Sequence, residues 1–277
     1  MWPNTVELRD FYSSSLGQLT CRIVRRQIYN YWPVTNGMNI LGVGFTNPYL
    51  RPFYCKESNV ISIAPAGMGV LPSGETEKLN KNKVCLSDES NLPFSDLSMD
   101  RIILVHGLEY TNKVNELLRE LWRILADGGR LIIVVPNRRG AWAHDDKTPF
   151  GQGHPYSLEQ INKVLRQSMF TPLRGKRALF IPPSNRRFWL AMAPAWESLG
   201  ARWFGVLGGV VITESAKQIY AGTTVGKHKV GARYSNLSPG MSSRFDPIEN
   251  TIDSAGLIDK SLLRQTNLST VLQKVWM

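Results

Sequence analysis

His106 and His154 are the side chains of this 277-residue chain best suited to acid–base work. His106 directly follows the apolar run Ile102–Val105, and His154 lies in the loop Gly151-Gln152-Gly153-His154-Pro155-Tyr156-Ser157. A neutral imidazole at the end of a strand could take a proton from a bound substrate. The plain alternative for His106 is a structural histidine in a tight turn, and for His154 a loop whose glycines only serve its shape. Arg138, Arg139 and Trp142 follow a second apolar run, Leu131–Val135, where the guanidinium groups could grip an anion in forked fashion. Solvated arginines at a strand end are the equal alternative. Cys21, Cys55 and Cys85 are widely spaced, form no CxxC pair and have no histidines at ligand spacing. They indicate neither zinc nor a disulfide framework, and free thiols in a reducing, cytoplasmic setting are the simplest account.

These residues need elements to hold them. Apolar positions at three- and four-residue spacing from Leu8 to Ile23 predict one helix over Thr5–Tyr31, stopped by Pro33. Gly37–Gly44 reads as a short buried strand running into glycines, and Asn47-Pro48 as the start of the next helix. Further strands are expected at 60–64, 83–86, 101–105, 130–135, 176–181 and 206–213. Helices are expected around Val114–Leu125, 158–165 and 191–199. The consecutive apolar residues of 131–135 suit a central strand covered on both faces. The alternation predicts an α/β fold: a Rossmann-like, doubly wound, mostly parallel seven-stranded sheet with helices on both faces. Residues 1–36 would form an N-terminal helical segment and 37–221 the α/β domain. In 222–277 Gly, Ser, Asn and Thr dominate, which predicts a largely disordered tail with one helix near 262–276.

The net charge of +11 favours anionic partners, but no block of five or six like charges marks a nucleic-acid site. Nucleic acid therefore rests on charge only. No apolar stretch reaches a membrane-spanning length and none near Met1 resembles a signal peptide, so a cytoplasmic protein is expected. Pro182–Trp189, with Trp196 and Trp203, mixes cations and aromatics. It could meet nucleic acid, a membrane surface or a lipophilic substrate; an insertion packing over the sheet is the favoured reading.

The order of segments resembles the class I S-adenosylmethionine-dependent methyltransferases of the type 11 kind. Asn39-Ile40-Leu41-Gly42-Val43-Gly44 is similar to their first-strand glycine turn. Asn91–Asp100 is similar to their Leu-Pro-Phe entry into the fourth strand, and His106–Tyr110 to the turn after it. Leu118–Leu131 is similar to their helix and fifth strand. The resemblance spans residues 38–165 and is strongest over 88–137.

It implies S-adenosylmethionine as cofactor, with Gly42 and Gly44 letting backbone approach it and the next helix offering N–H groups to its carboxylate. It also implies Asp88 as acceptor for the adenine amino group, beside Glu89, and His106 under the methionine part. Tyr12, on the first helix, would be a lid residue over the cofactor, the plain alternative being an aromatic packed in the core. His154 and Tyr156 would face the substrate with Arg138 and Trp142, and His154 and His106 are the candidate bases. Three positions depart from the pattern. Ile40 stands where the family has an acid, Thr46 where it often has a third glycine, and Ala64-Pro65 where an acid holds the ribose. A nicotinamide enzyme fits less well, since its glycine motif needs glycine where Asn47 stands. The expectation is methyl transfer to a small-molecule acceptor, the alternative an inactive methyltransferase-like binding or scaffold protein.

Overall fold

The apolar runs at 40–43, 102–105 and 131–135 become the three middle strands of a sheet. The computed structural model describes residues 2–54, 57–69 and 84–218. Cys55, most of the 65–82 stretch and the whole 222–277 tail lie outside the described residues. The strands are β1 Asn39–Gly44, β2 Asn59–Pro65, β3 Val84–Ser87, β4 Met99–Val105, β5 Leu125–Pro136, β6 Phe170–Ala178 and β7 Val210–Lys217. Their spatial order is β3-β2-β1-β4-β5-β7-β6. The first five are parallel, and β7 runs antiparallel between β5 and β6. Strand order reverses between β1 and β4, so their carboxyl ends form the crevice where open α/β sheets bind ligands.

Both faces are covered, which is why the central strands are apolar on consecutive residues. In β5, Ile132 and Val134 join a core with Val24, Ile28, Ile40 and Ile103. Leu131, Ile133 and Val135 point the other way, into a core with Leu117, Leu121, Ile161 and Leu165. The first core lies under helix α2 (Ser15–Tyr31) and the second under α4 (Val114–Ile124) and α5 (Leu158–Gln167).

Three expectations need correction. The single N-terminal helix is two, α1 (Thr5–Ser13) and α2, because Ser14 turns extended (ψ 159°) and its hydroxyl accepts the Gly17 N–H. A serine between two others favours a cap over a helix interior, for it can satisfy the free N–H groups of a new first turn. The helix after the glycine turn is one turn only, α3 (Asn47–Leu50), followed by a 3-10 turn at Arg51–Phe53. Pro52 lacks the N–H that would reach the Pro48 carbonyl, and the Cys21 thiol donates to that oxygen instead, at 3.4 Å. A single turn offers little dipole, so the expected helix N-terminus for a cofactor carboxylate is not built. Finally, the 182–203 insertion, with α6 (Arg187–Ala191) and α7 (Ala193–Trp203), packs only in part. Trp196 and Leu190 lie against the core, whereas Phe188 is 65% and Trp203 71% exposed.

Candidate active site

At the switch point the ends of β1 and β4 nearly touch. Gly44 has φ +87°, and a Cβ on it would fall 2.2 Å from the Val105 carbonyl oxygen, so only glycine fits there. Phe45 N–H donates to the same oxygen at 2.9 Å, tying the two strand ends together. The chain then turns through His106 in left-handed backbone, φ +51°, with the residue fully buried. Such a conformation costs a β-carbon-bearing residue about 1–2 kcal/mol and persists only where the surroundings over-determine it.

Those surroundings are a chain of hydrogen bonds. His106 Nδ1 lies 3.1 Å from Glu109 Oε1, and Nε2 lies 2.6 Å from the Tyr12 hydroxyl. Tyr12 in turn lies 2.5 Å from the Tyr49 hydroxyl. For a neutral imidazole the directions follow by elimination. The carboxylate can only accept, so Nδ1 carries the proton and Nε2 accepts from Tyr12. Tyr12 has then used its one proton, so Tyr49 must donate to it. Every member is buried, and desolvation pushes both phenols well above the usual tyrosine range, keeping them as O–H donors. Phe45 stacks on Tyr12 (centroids 5.4 Å, 18°) and Phe150 packs 4.8 Å from the His106 ring. The second oxygen of Glu109, Oε2, is buried without a partner. An orphan carboxylate oxygen is costly to bury.

The structure thus unites His106 and Tyr12 and adds Glu109 and Tyr49. Glu109 had a sequence signal in its three-residue spacing from His106 within one turn; Tyr49 had none, because only the short α3 turn brings it under α1. Tyr12 is a packed member of this network, with α1 lying over the strand ends. His154 is exposed, its N–H donating to the Glu109 carbonyl at 2.7 Å and its ring 5.5 Å from that of Tyr156, which is buried. Arg138 is exposed and joined to Tyr156 only through backbone. Trp142, expected at the substrate, is fully buried, and its indole N–H is committed to the Ile181 carbonyl at 2.7 Å. A cleft of about 480 Å³ lies beside α1, its lining including Glu7, Phe11, Asp146, Lys147, Gln152 and Asn185. Phe11 also packs against Phe150, so His106 stands one aromatic ring behind the cleft wall.

On the β2–β3 side, Asp88 is exposed, and the Ser90 backbone N–H at 2.8 Å holds its carboxyl below the usual range. Glu89 accepts from the Thr111 hydroxyl at 2.9 Å. Ala64 is buried at the end of β2. The Thr46 hydroxyl bonds the buried Ser62 hydroxyl at 3.0 Å and sits 2.2 Å from where a Cβ on Gly42 would be. Gly42 is therefore required by Thr46. Trp2 covers this edge, its indole against Gly67 and 6.3 Å from the Tyr110 ring, while the Thr5 hydroxyl donates to the Met68 carbonyl.

Parallel strands reversing at β1 and β4, a glycine turn and an acid after β3 are a layout found in doubly wound nucleotide-binding folds. Residues 41–133 match the family model described as a methyltransferase domain. Among curated proteins it is similar to the uncharacterised Escherichia coli protein YafS, 27% identical over 132 residues, covering 47% of this chain and 50% of that protein. It is also 38% identical over 61 residues to an uncharacterised Methanocaldococcus jannaschii protein, covering 22% of this chain and 26% of that one. The chain thus spans half or less of either relative. Among solved structures it is similar to a chain of the Haloferax volcanii complex between the Trm112 methyltransferase activator and a methyltransferase (TM-score 0.53, 14% identity, 70% of this chain and 88% of that one). It is also similar to an S-adenosylmethionine-dependent methyltransferase of Thermotoga maritima (TM-score 0.51, 18% identity, 77% and 96%). The cyclase SpnF matches as well (TM-score 0.50, 18% identity, 71% and 80%). At these identities the structures establish the fold.

The residues present fit the family's cofactor at the exposed Asp88 edge and at the orphan Glu109 oxygen, which suits a donor-bearing, cationic molecule. They do not supply the ribose acid, since Ala64 is apolar and buried.

Proposed function

We propose that this chain transfers the methyl group of S-adenosylmethionine to a small-molecule acceptor, at the carboxyl ends of β1 and β4. The observation that carries the proposal is the Tyr49–Tyr12–His106–Glu109 chain at the switch point, with its orphan carboxylate oxygen. The cofactor supplies an activated methyl group; the protein aligns the acceptor, excludes water and manages one proton. Asp88, with Glu89 beside it, would accept a hydrogen bond from the adenine end, and the backbone after Gly42 and Gly44 would lie along the molecule. If the acceptor must lose a proton, His106 Nε2 receives it through Tyr12, and the Glu109 carboxylate neutralises the imidazolium that forms. The exposed His154, above the Glu109 carbonyl, is the second candidate base, with Arg138 and Tyr156 near it on the acceptor side.

Isothermal titration of the purified chain with S-adenosylmethionine and S-adenosylhomocysteine, repeated on Asp88→Ala, tests the reading. Saturable binding that the substitution weakens is expected. On an identified acceptor, His154→Ala should slow turnover while cofactor affinity stays nearly constant, and equal rates would remove His154 as a base.

One observation favours a second reading, a scaffold that no longer uses the cofactor. Thr46 fills the space over Gly42 and pairs with Ser62, while Tyr12, Phe45 and Tyr49 pack the strand ends closed. The fold does not fix the reaction, as a cyclase among its neighbours illustrates. No binding of either ligand by well-folded protein would move the balance to this reading. Nucleic-acid binding rests on the +11 charge and would show as affinity falling steeply with salt.

A further inference from the structure

Of the thirteen large apolar side chains exposed among the described residues, seven fall between Phe188 and Leu207. They are ordered around α7. Its inner side is anchored, with Ala193 and Gly200 buried and the Glu197 carboxylate accepting the Phe180 N–H at 2.6 Å. Met192, Leu199 and Trp203, at spacings of seven and four, form a stripe on another side of the helix and stay exposed. Phe188 stands one turn before Met192, whose N–H bonds its carbonyl at 3.1 Å. Phe204, Val206 and Leu207 extend the exposed surface beyond the helix end.

The charges in this segment are one-sided. Arg186, Arg187 and Arg202 are exposed, and Glu197, the only acid from 185 to 207, is turned inward. The chain as a whole carries +11. Aromatic and aliphatic side chains projecting beside arginines, with no exposed carboxylate, are what an anionic bilayer surface takes up. The apolar groups enter the acyl boundary and the guanidiniums stay with the head groups. A stacking surface for nucleic acid would have no use for Met192, Leu199, Val206 and Leu207, which offer bases no ring face.

We propose that the 186–207 face docks this protein onto anionic lipid bilayers, lying on the surface without spanning it. No helix among the described residues is long and apolar enough to cross a membrane. The segment joins β6 to β7 at the carboxyl end of β6, on the sheet edge that holds His106, and Asn185 lines the cleft beside α1. The docked face would therefore border the cleft. The proposal stands independently of the methyl-transfer reading.

Co-sedimentation of the full chain with vesicles of phosphatidylcholine alone, and of phosphatidylcholine mixed with phosphatidylglycerol, tests it. Binding to the mixed vesicles only, weakened by high sodium chloride, is expected. Phe188→Ser/Trp203→Ser/Leu207→Ser should weaken it at least about tenfold. Arg186→Ala/Arg187→Ala/Arg202→Ala should weaken it roughly fivefold per residue. All six side chains are exposed, so both variants should keep the wild-type melting temperature. Absence of wild-type binding to the mixed vesicles overturns the proposal. Equal binding by the serine variant also overturns it, since the general positive charge would then suffice. A dimer by light scattering that Trp203→Ser dissolves would assign the face to self-association and overturn it too.

Discussion

Replacing Tyr12 by Phe removes one oxygen atom and keeps the ring, so it probes the buried chain without opening a cavity. The hydroxyl serves two short contacts, to His106 Nε2 at 2.6 Å and to Tyr49 at 2.5 Å. Both partners are buried and have no water to turn to. A buried polar group left unpaired costs about 1–3 kcal/mol, so the substitution should destabilise the fold by roughly 2–4 kcal/mol. Tyr31→Phe is the internal control, because the Tyr31 hydroxyl is buried with no hydrogen-bond partner. Its removal should change stability by less than about 0.5 kcal/mol or raise it slightly. Urea unfolding followed by tryptophan fluorescence measures both, through midpoints compared at equal slope. If Tyr12→Phe and Tyr31→Phe shift the midpoint alike, the Tyr49–Tyr12–His106 chain contributes nothing. His106 would then owe its left-handed backbone to packing alone.

Gly42→Ala should cost roughly 1–3 kcal/mol by overpacking against Thr46, and adding Thr46→Gly should recover much of it. A double-mutant cycle in urea that proved additive would refute the account of Gly42. Ala64→Asp, restoring the ribose acid, should tighten S-adenosylmethionine binding by roughly ten- to a hundredfold in titration calorimetry if the cofactor lies as proposed; unchanged affinity would count against that placement. Burial, ahead of the backbone N–H groups that oppose it, raises the Glu197 carboxyl above its ordinary value. The folded state then holds the proton more tightly than the unfolded chain, so this residue's contribution to stability falls as pH rises through the raised value. Glu197→Gln should therefore melt above wild type near neutral pH, with the gap closing in mild acid. A gap that widened on acidification would contradict it.

Sequence periodicity determined the architecture. Apolar runs at 40–43, 102–105 and 131–135, and the stripe of 114–125, require a covered parallel sheet, because a strand buried on both faces leaves no polar alternation. The glycine turn and the 88–137 blocks located the switch point and the acid after β3. Tertiary structure decided what occupies that point. A proline four residues after another cut α3 to one turn, and a serine broke the first helix. These local breaks set Tyr49 on Tyr12 across 37 residues of chain, and Tyr12 on His106 across 94, which no periodicity connects. The sequence likewise could not tell Trp142 from Trp203, one in the core and one in solvent, since burial depends on which faces meet after folding. Hydrogen-bond partners and exposure arise from packing between distant segments, and a linear pattern specifies only the faces that must find something to cover them.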